Sequence, residues 1–124
     1  MSDKILIADD EPNILISLEY LMKREGFETI VAEDGQAALD AINRERPSLV
    51  LLDVMMPKMT GFEVCHAVRA NASLKDIRIL MLTAKGRDTD IAKGLALGAD
   101  SYMIKPFSTK DLVQKVRDLL SRPT

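Results

Sequence analysis

Ser48-Leu49-Val50-Leu51-Leu52-Asp53 sets four apolar residues in a row and then stops on an acid. A strand with one wet face alternates apolar and polar residues, so an unbroken run reads as a central strand covered on both faces. Such a strand belongs to a parallel sheet between two helical layers, and it delivers Asp53 to the end of that sheet.

Similar short runs lie at Lys4 to Asp9, Glu28 to Ala32, Arg78 to Thr83 and Ser101 to Lys105. The longer stretches between them carry apolar residues at helical spacing, such as Leu15, Leu18 and Met22, or Leu112, Val116, Leu119 and Leu120. Helix starts are marked by Pro12, by a capping box from Thr60 to Glu63 and by a similar pair at Ser108 and Asp111. Gly26 and Gly98 stand where the first and fourth helices should end. Five strands alternating with five helices, joined by right-handed crossovers, predict a doubly wound α/β sheet of flavodoxin-like (βα)5 type, order 2-1-3-4-5. In that order the first and third strands are neighbours. Ligands in such folds bind beyond the strand ends where the winding reverses, and Asp9, Asp10 and Asp53 should meet there.

Composition narrows the function. A chain of 124 residues, 47% hydrophobic and 29% charged, supports one core, so residues 1–124 are read as a single domain. No apolar stretch is long enough to span a bilayer, and Met1 to Lys4 leads directly into a strand pattern with no signal peptide, which predicts a cytoplasmic protein without membrane contact. The lone Cys65 excludes an internal disulfide and a cysteine-built zinc site. A net charge of -2, a pI near 5.4 and dispersed basic residues predict no direct nucleic-acid binding by this segment. At 4% aromatic residues and no Trp, it offers no stacking platform.

Three carboxylates at one sheet end repel one another, so they must gain protons or recruit a cation. Oxygen ligands with room for water suit Mg2+ over zinc. Beside such an ion Asp53 can act as a nucleophile toward phosphorus. Phosphoryl transfer also needs a cation and donors opposite the metal. Lys105 ends the fifth strand, and Thr83 with the small Ala84 ends the fourth. Taken alone, Asp10 reads equally well as a helix cap, Asp9 as a loop residue, Asp53 as a turn residue, Thr83 as an ordinary strand residue and Lys105 as a surface cation. Their shared placement at four strand ends favours the site.

Four motifs then stand together: Ile7-Ala8-Asp9-Asp10-Glu11-Pro12, Asp53-Val54-Met55-Met56-Pro57 with Gly61, Leu82-Thr83-Ala84, and Gly98 through Phe107 with Lys105-Pro106 inside it. In this order and spacing the chain resembles the receiver domain of two-component response regulators over nearly its whole length. The resemblance implies that Asp53 accepts a phosphoryl group from a phosphohistidine on a sensor histidine kinase or histidine phosphotransfer protein. It also implies that Asp10, Asp53 and the Met55 carbonyl bind Mg2+, with Asp9 helping directly or through water. Lys105 would pair with Asp53 or its phosphate, and Thr83 with the Ala84 backbone would hold phosphate oxygens. The Lys105-Pro106 bond would be cis. Thr83 and Tyr102 would form the switch, altering a fourth-helix, fifth-strand and fifth-helix face that includes Ile91, Lys93, Leu95, Asp100, Asp111, Val113 and Lys115. That face could serve a homodimer, an effector domain or an output protein. On this reading the domain turns over only its own phosphate and is no metabolic enzyme.

Three positions depart from the family pattern or vary within it. Ser101 stands where many DNA-binding relatives carry a second acid after Asp100, which weakens the case for a dimer held by the usual ion pairs. Met55 and Lys85 occupy variable positions that influence phosphate lifetime. Other readings fit less well. A haloacid-dehalogenase-type phosphatase wants an acid where Met55 stands, and the acids from Asp9 to Glu11 would repel a phosphate-bearing cofactor. A phosphorylation-independent interaction domain has no need of the full acid, Thr83 and Lys105 set.

Overall fold

Every residue from Leu49 to Asp53 is buried, as a strand with helices on both faces requires. The computed structural model describes residues 3–84 and 86–121, so Met1, Ser2, Lys85 and residues 122–124 lie outside the described residues. The elements run β1 (Lys4–Ala8), α1 (Pro12–Arg24), β2 (Glu28–Ala32), α2 (Gly35–Glu45), β3 (Leu49–Asp53), α3 (Gly61–Arg69), β4 (Arg78–Ala84), α4 (Asp88–Ala96), β5 (Ser101–Lys105) and α5 (Thr109–Ser121). A 3-10 turn, Ala72–Leu74, which the helix and strand periodicities did not predict, joins α3 to β4, and the Asn71 side chain before it accepts from the Ser73 N–H at 3.0 Å. The strands pair in parallel in the order β2-β1-β3-β4-β5, as expected.

Because successive strand residues point to opposite faces, the sheet divides its apolar side chains between two cores. Leu6, Ala8, Val50, Leu52, Ile79 and Met81 meet Ala38 and Ile42 of α2 and Val64, Cys65 and Val68 of α3. Ile5, Ile7, Leu49, Leu51, Leu80 and Leu82 meet Leu15, Leu18 and Met22 of α1 and Leu112, Val116 and Leu119 of α5. Each fully buried Leu, Ile or Val contributes about 1.5–3 kcal/mol from leaving water. Helix α4 is the exception: Gly94 is its one buried residue, so little core packing holds it.

The end signals act as read. Pro12 opens α1, and Thr60 and Glu63 form both halves of a capping box on α3. Gly26 (φ 92°) and Gly98 (φ 110°) end α1 and α4 in the left-handed region. After α4 the Ala99 N–H returns to the Gly94 carbonyl at 3.0 Å and the Gly98 N–H to Leu95 at 3.1 Å, which satisfies the helix's last carbonyls. Strand edges differ from the reading by one residue. Asp9 and Ser48 fall just outside β1 and β3, although the Asp9 N–H still reaches the Ala32 carbonyl at 3.1 Å and Ser48 N–H the Lys4 carbonyl at 2.8 Å. No described helix is long and apolar enough to cross a membrane.

Candidate functional site

Strands β1 and β3 are neighbours whose following connections diverge, so the carboxyl ends of the sheet open into a crevice there. Asp9 follows β1, Asp53 closes β3, Thr83 and Ala84 close β4, and Lys105 closes β5. These ends bring carboxylate oxygens of Asp9, Asp10 and Asp53 within 4.8 Å of one another. A cavity of about 320 Å³ lies over them, lined by Asp10, Glu11, Asp53, Val54, Met55, Thr83, Ala84, Arg87, Asp90 and Lys105. Asp9 is fully buried, Asp53 is buried and Asp10 is exposed.

The backbone around Asp53 is tightly set. The Val54 N–H carries the β3 ladder one residue onward to the Leu82 carbonyl at 3.1 Å, and the Gly61 N–H returns to the Val54 carbonyl at 2.8 Å. A Cβ on Gly61 would collide with the Asp53 carbonyl oxygen. Only glycine lets α3 begin this close to the strand end.

Charge is balanced unevenly in the site. The Lys105 ammonium donates to Asp9 Oδ2 at 2.9 Å and to Asp53 Oδ1 at 3.4 Å. The second Asp9 oxygen accepts the Glu11 N–H at 2.9 Å. Lys105 was expected to pair with Asp53; in this structure its shorter contact is to Asp9. Burial pushes the Asp53 carboxyl up from its ordinary 3.8 to about 6, the Asp9 charge adds to this, Lys105 opposes it and Asp10 adds a smaller push. For Lys105, burial works against the charged form, yet the Asp9 hydrogen bond and the Asp53 and Asp9 charges outweigh it and hold the ammonium above its ordinary range.

Two further observations separate this cluster from ordinary loop acids. Helix α1 has Glu11 at its N-cap and no side-chain cap, so Asp10 is not engaged as the helix cap. The Thr83 hydroxyl is the one buried side-chain polar atom among the described residues with no hydrogen-bond partner. A buried hydroxyl of this kind is free to donate to a group that enters the cavity. Converging hard oxygen donors, a carboxyl short of counter-charge and an unpartnered hydroxyl together fit a divalent cation and a phosphoryl group.

The other expected residues are distributed as follows. Met55 is exposed on the cavity wall, Ala84 lines the rim, and the Lys105–Pro106 bond is cis. Tyr102 does not line the cavity. It stands two residues before Ile104, the register partner of Thr83, and so shares a sheet face with Thr83. Lys85 lies outside the described residues. Two charges expected on the α4–β5–α5 face are used elsewhere. Asp100 accepts from Arg69 at 2.8 Å and from the Ile79 N–H at 2.7 Å, tying β5 to α3 and β4. Lys93 sits over the Phe62 ring, 4.5 Å from its centroid, and so faces α3. Sequence reasoning missed Glu11, Arg87 and Asp90 as wall residues. For Arg87 the available signal was a basic residue in the loop that follows the Thr83 strand end.

A doubly wound sheet with an acidic trio, a threonine and a lysine at its carboxyl ends defines the phosphoacceptor class of signalling domain. The chain belongs to the response regulator receiver domain family, whose description as a family model matches residues 5–117. It is a phosphorylation-switch domain of the two-component type. It is 45% identical over 122 residues to the alkaline phosphatase synthesis transcriptional regulatory protein PhoP of Bacillus subtilis, covering 98% of this chain and 50% of that protein. It is also 45% identical over 122 residues to the DNA-binding response regulator MtrA of Mycolicibacterium smegmatis, covering 98% and 52%. The chain spans about half the length of these curated relatives. The crystal structure of the Vibrio cholerae chemotaxis protein CheY4 superposes with a TM-score of 0.89 at 33% identity, covering 96% of this chain and 99% of that one.

Proposed function

We propose that Asp53 is the phosphoacceptor, taking a phosphoryl group from a phosphohistidine of a sensor histidine kinase or histidine phosphotransfer protein. The observation that carries this reading is the Asp53 carboxylate on the cavity wall, 3.4 Å from the Lys105 ammonium, in a cavity that the unpartnered Thr83 also lines. In the transfer an Asp53 oxygen attacks phosphorus and the P–N bond breaks. The imidazole nitrogen leaves with the bonding pair and picks up a proton, and an acyl phosphate remains on Asp53. Hydrolysis by water resets the domain, so it turns over only its own phosphate.

Asp10, Asp53 and the Met55 carbonyl would hold Mg2+, with Asp9 contributing directly or through water. Bound there, Mg2+ would neutralise the charge on the transferring group. Lys105 is positioned to accept the phosphoryl charge without leaving Asp9, and the Thr83 hydroxyl and Ala84 N–H supply donors for its oxygens. Output follows when Thr83 turns toward the phosphate and Tyr102 moves into the space released. The shared face of Thr83 and Tyr102, the thin packing of α4 and the exposed Leu95, Tyr102 and Ile104 support this route. We read the α4–β5–α5 face as the contact for a homodimer, an effector domain or an output protein, and residues 1–124 as a single receiver domain acting in the cytoplasm.

The test is direct. With Mg2+ and acetyl phosphate the chain should gain one phosphoryl mass, and Asp53→Asn should abolish the gain. Equal labelling of the variant would refute the assignment.

A further inference from the structure

Arg87 stands on the wall of the Asp53 cavity, and its guanidinium is held by Asp90 at 2.8 Å. The pair also lines a second, more open groove of about 810 Å³ between α3 and α4, beside Phe62 and His66. Arg87 and Asp90 therefore form the partition between the phosphorylation site and that groove. The Arg87 side chain is about half exposed, while that of Asp90 is 12% exposed. Ion pairs with one exposed member in a single helical turn are weak and readily exchanged.

We propose that Arg87 is a phosphate-responsive side chain: once Asp53 carries a phosphoryl group, the Arg87 guanidinium leaves Asp90 for the phosphoryl oxygens. The inference rests on Asp53 being the phosphoacceptor. A phosphoryl group brings a charge of about -1.5 to -2 and three acceptor oxygens, against a single charge on Asp90. The planar guanidinium fork matches such oxygens, and charge-assisted bonds of this kind are the strong ones. Demand for a cation beyond Mg2+ and Lys105 remains, because Asp10, Glu11 and Asp90 share the cavity wall with the phosphoryl group and Lys105 is already shared with Asp9. The exchange leaves Asp90 without its partner at the start of α4, the helix least held by the core. The charge event at Asp53 thereby reaches both the α4 start and the wall of the α3–α4 groove.

The test titrates the Mg2+-saturated chain with beryllofluoride, a stable mimic of the phosphoryl group on aspartate, read by calorimetry and 19F NMR. Arg87→Gln should weaken binding by about fivefold to tenfold, and Arg87→Lys by less, because a point charge replaces the fork. Asp90→Asn should tighten binding by releasing Arg87, and that gain should vanish in the Arg87→Gln/Asp90→Asn double variant. Wild-type affinity in Arg87→Gln, or a full Asp90→Asn gain that survives without Arg87, would overturn the inference while leaving the Asp53 reading intact. A wild-type chain that binds no beryllofluoride would overturn the Asp53 reading, and this inference with it.

Discussion

The Asp53 carboxyl is held in the fold at a cost that can be measured. Its pKa is raised from 3.8 to about 6, first by burial and then by the Asp9 charge, with Lys105 opposing. Between about pH 4 and 6 the folded chain therefore binds more protons here than the unfolded chain. This group's contribution favours folding below that window, falls as pH rises through it and is fully unfavourable above it. Solvent screening at the open cavity leaves about 1–2 kcal/mol of this shift as a stability effect. Asp53→Asn should accordingly be more stable than the wild type by about that amount at pH 7.5 without divalent metal, and the advantage should disappear near pH 4. Urea melts at the two pH values measure it; an equal gap at both would contradict the burial argument. Millimolar Mg2+ should narrow the gap at pH 7.5, since only the wild type retains the full ligand set.

At the scale of elements, two glycines make opposite predictions. Gly61 lets α3 start against the Asp53 carbonyl, and a Cβ there has backbone to displace. Gly61→Ala should cost about 1–3 kcal/mol and slow phosphoryl labelling, because the shift falls on the segment that carries Asp53. In α4 a Cβ on Gly94 would meet the Met81 side chain at 3.4 Å, near ordinary contact. Gly94→Ala should be neutral or stabilising by up to about 1 kcal/mol through helix propensity. Paired denaturation curves decide the matter, and the same sign of change in both would defeat it. Elements were legible in the sequence where a local rule sets them. Pro12, the Thr60–Glu63 box, Gly26 and Gly98 each act within one turn. The Asp100 contacts with Arg69 and Ile79 were not legible, because they join residues 31 and 21 positions apart that only the fold makes neighbours.

Across the whole molecule, the two cores are unequal in what they clamp. Helices α1 and α5 drive leucines and valines into one face, and α2 and α3 cover the other, while α4 rests on a glycine. A charge change at the strand ends will therefore be expressed where packing is thinnest, at α4 and the adjoining part of β5. The chain has two tyrosines and no tryptophan, so tyrosine emission can follow this. In a Tyr20→Phe background, Mg2+ with beryllofluoride should reduce acrylamide quenching of Tyr102 as the ring moves inward. Adding Asp53→Asn should remove the effect. Unchanged quenching on analogue binding would count against Tyr102 as the moving part.

What the sequence alone determined was the periodic part of the protein. Consecutive apolar residues from Leu49 to Leu52, helical spacing between the runs and acids at the strand ends define a doubly wound sheet and the place of Asp53, because periodicity is local and each residue's face follows from its neighbours. The sharing of charge within the site came from the folded arrangement. Lys105 reaches Asp9 across 96 positions and Asp53 across 52. The release of Asp10 from helix capping, the unpartnered Thr83 hydroxyl and Arg87 at the cavity wall likewise depend on which strand ends lie side by side. Electrostatics and burial act through space, so they become readable only once the sheet has brought those ends together.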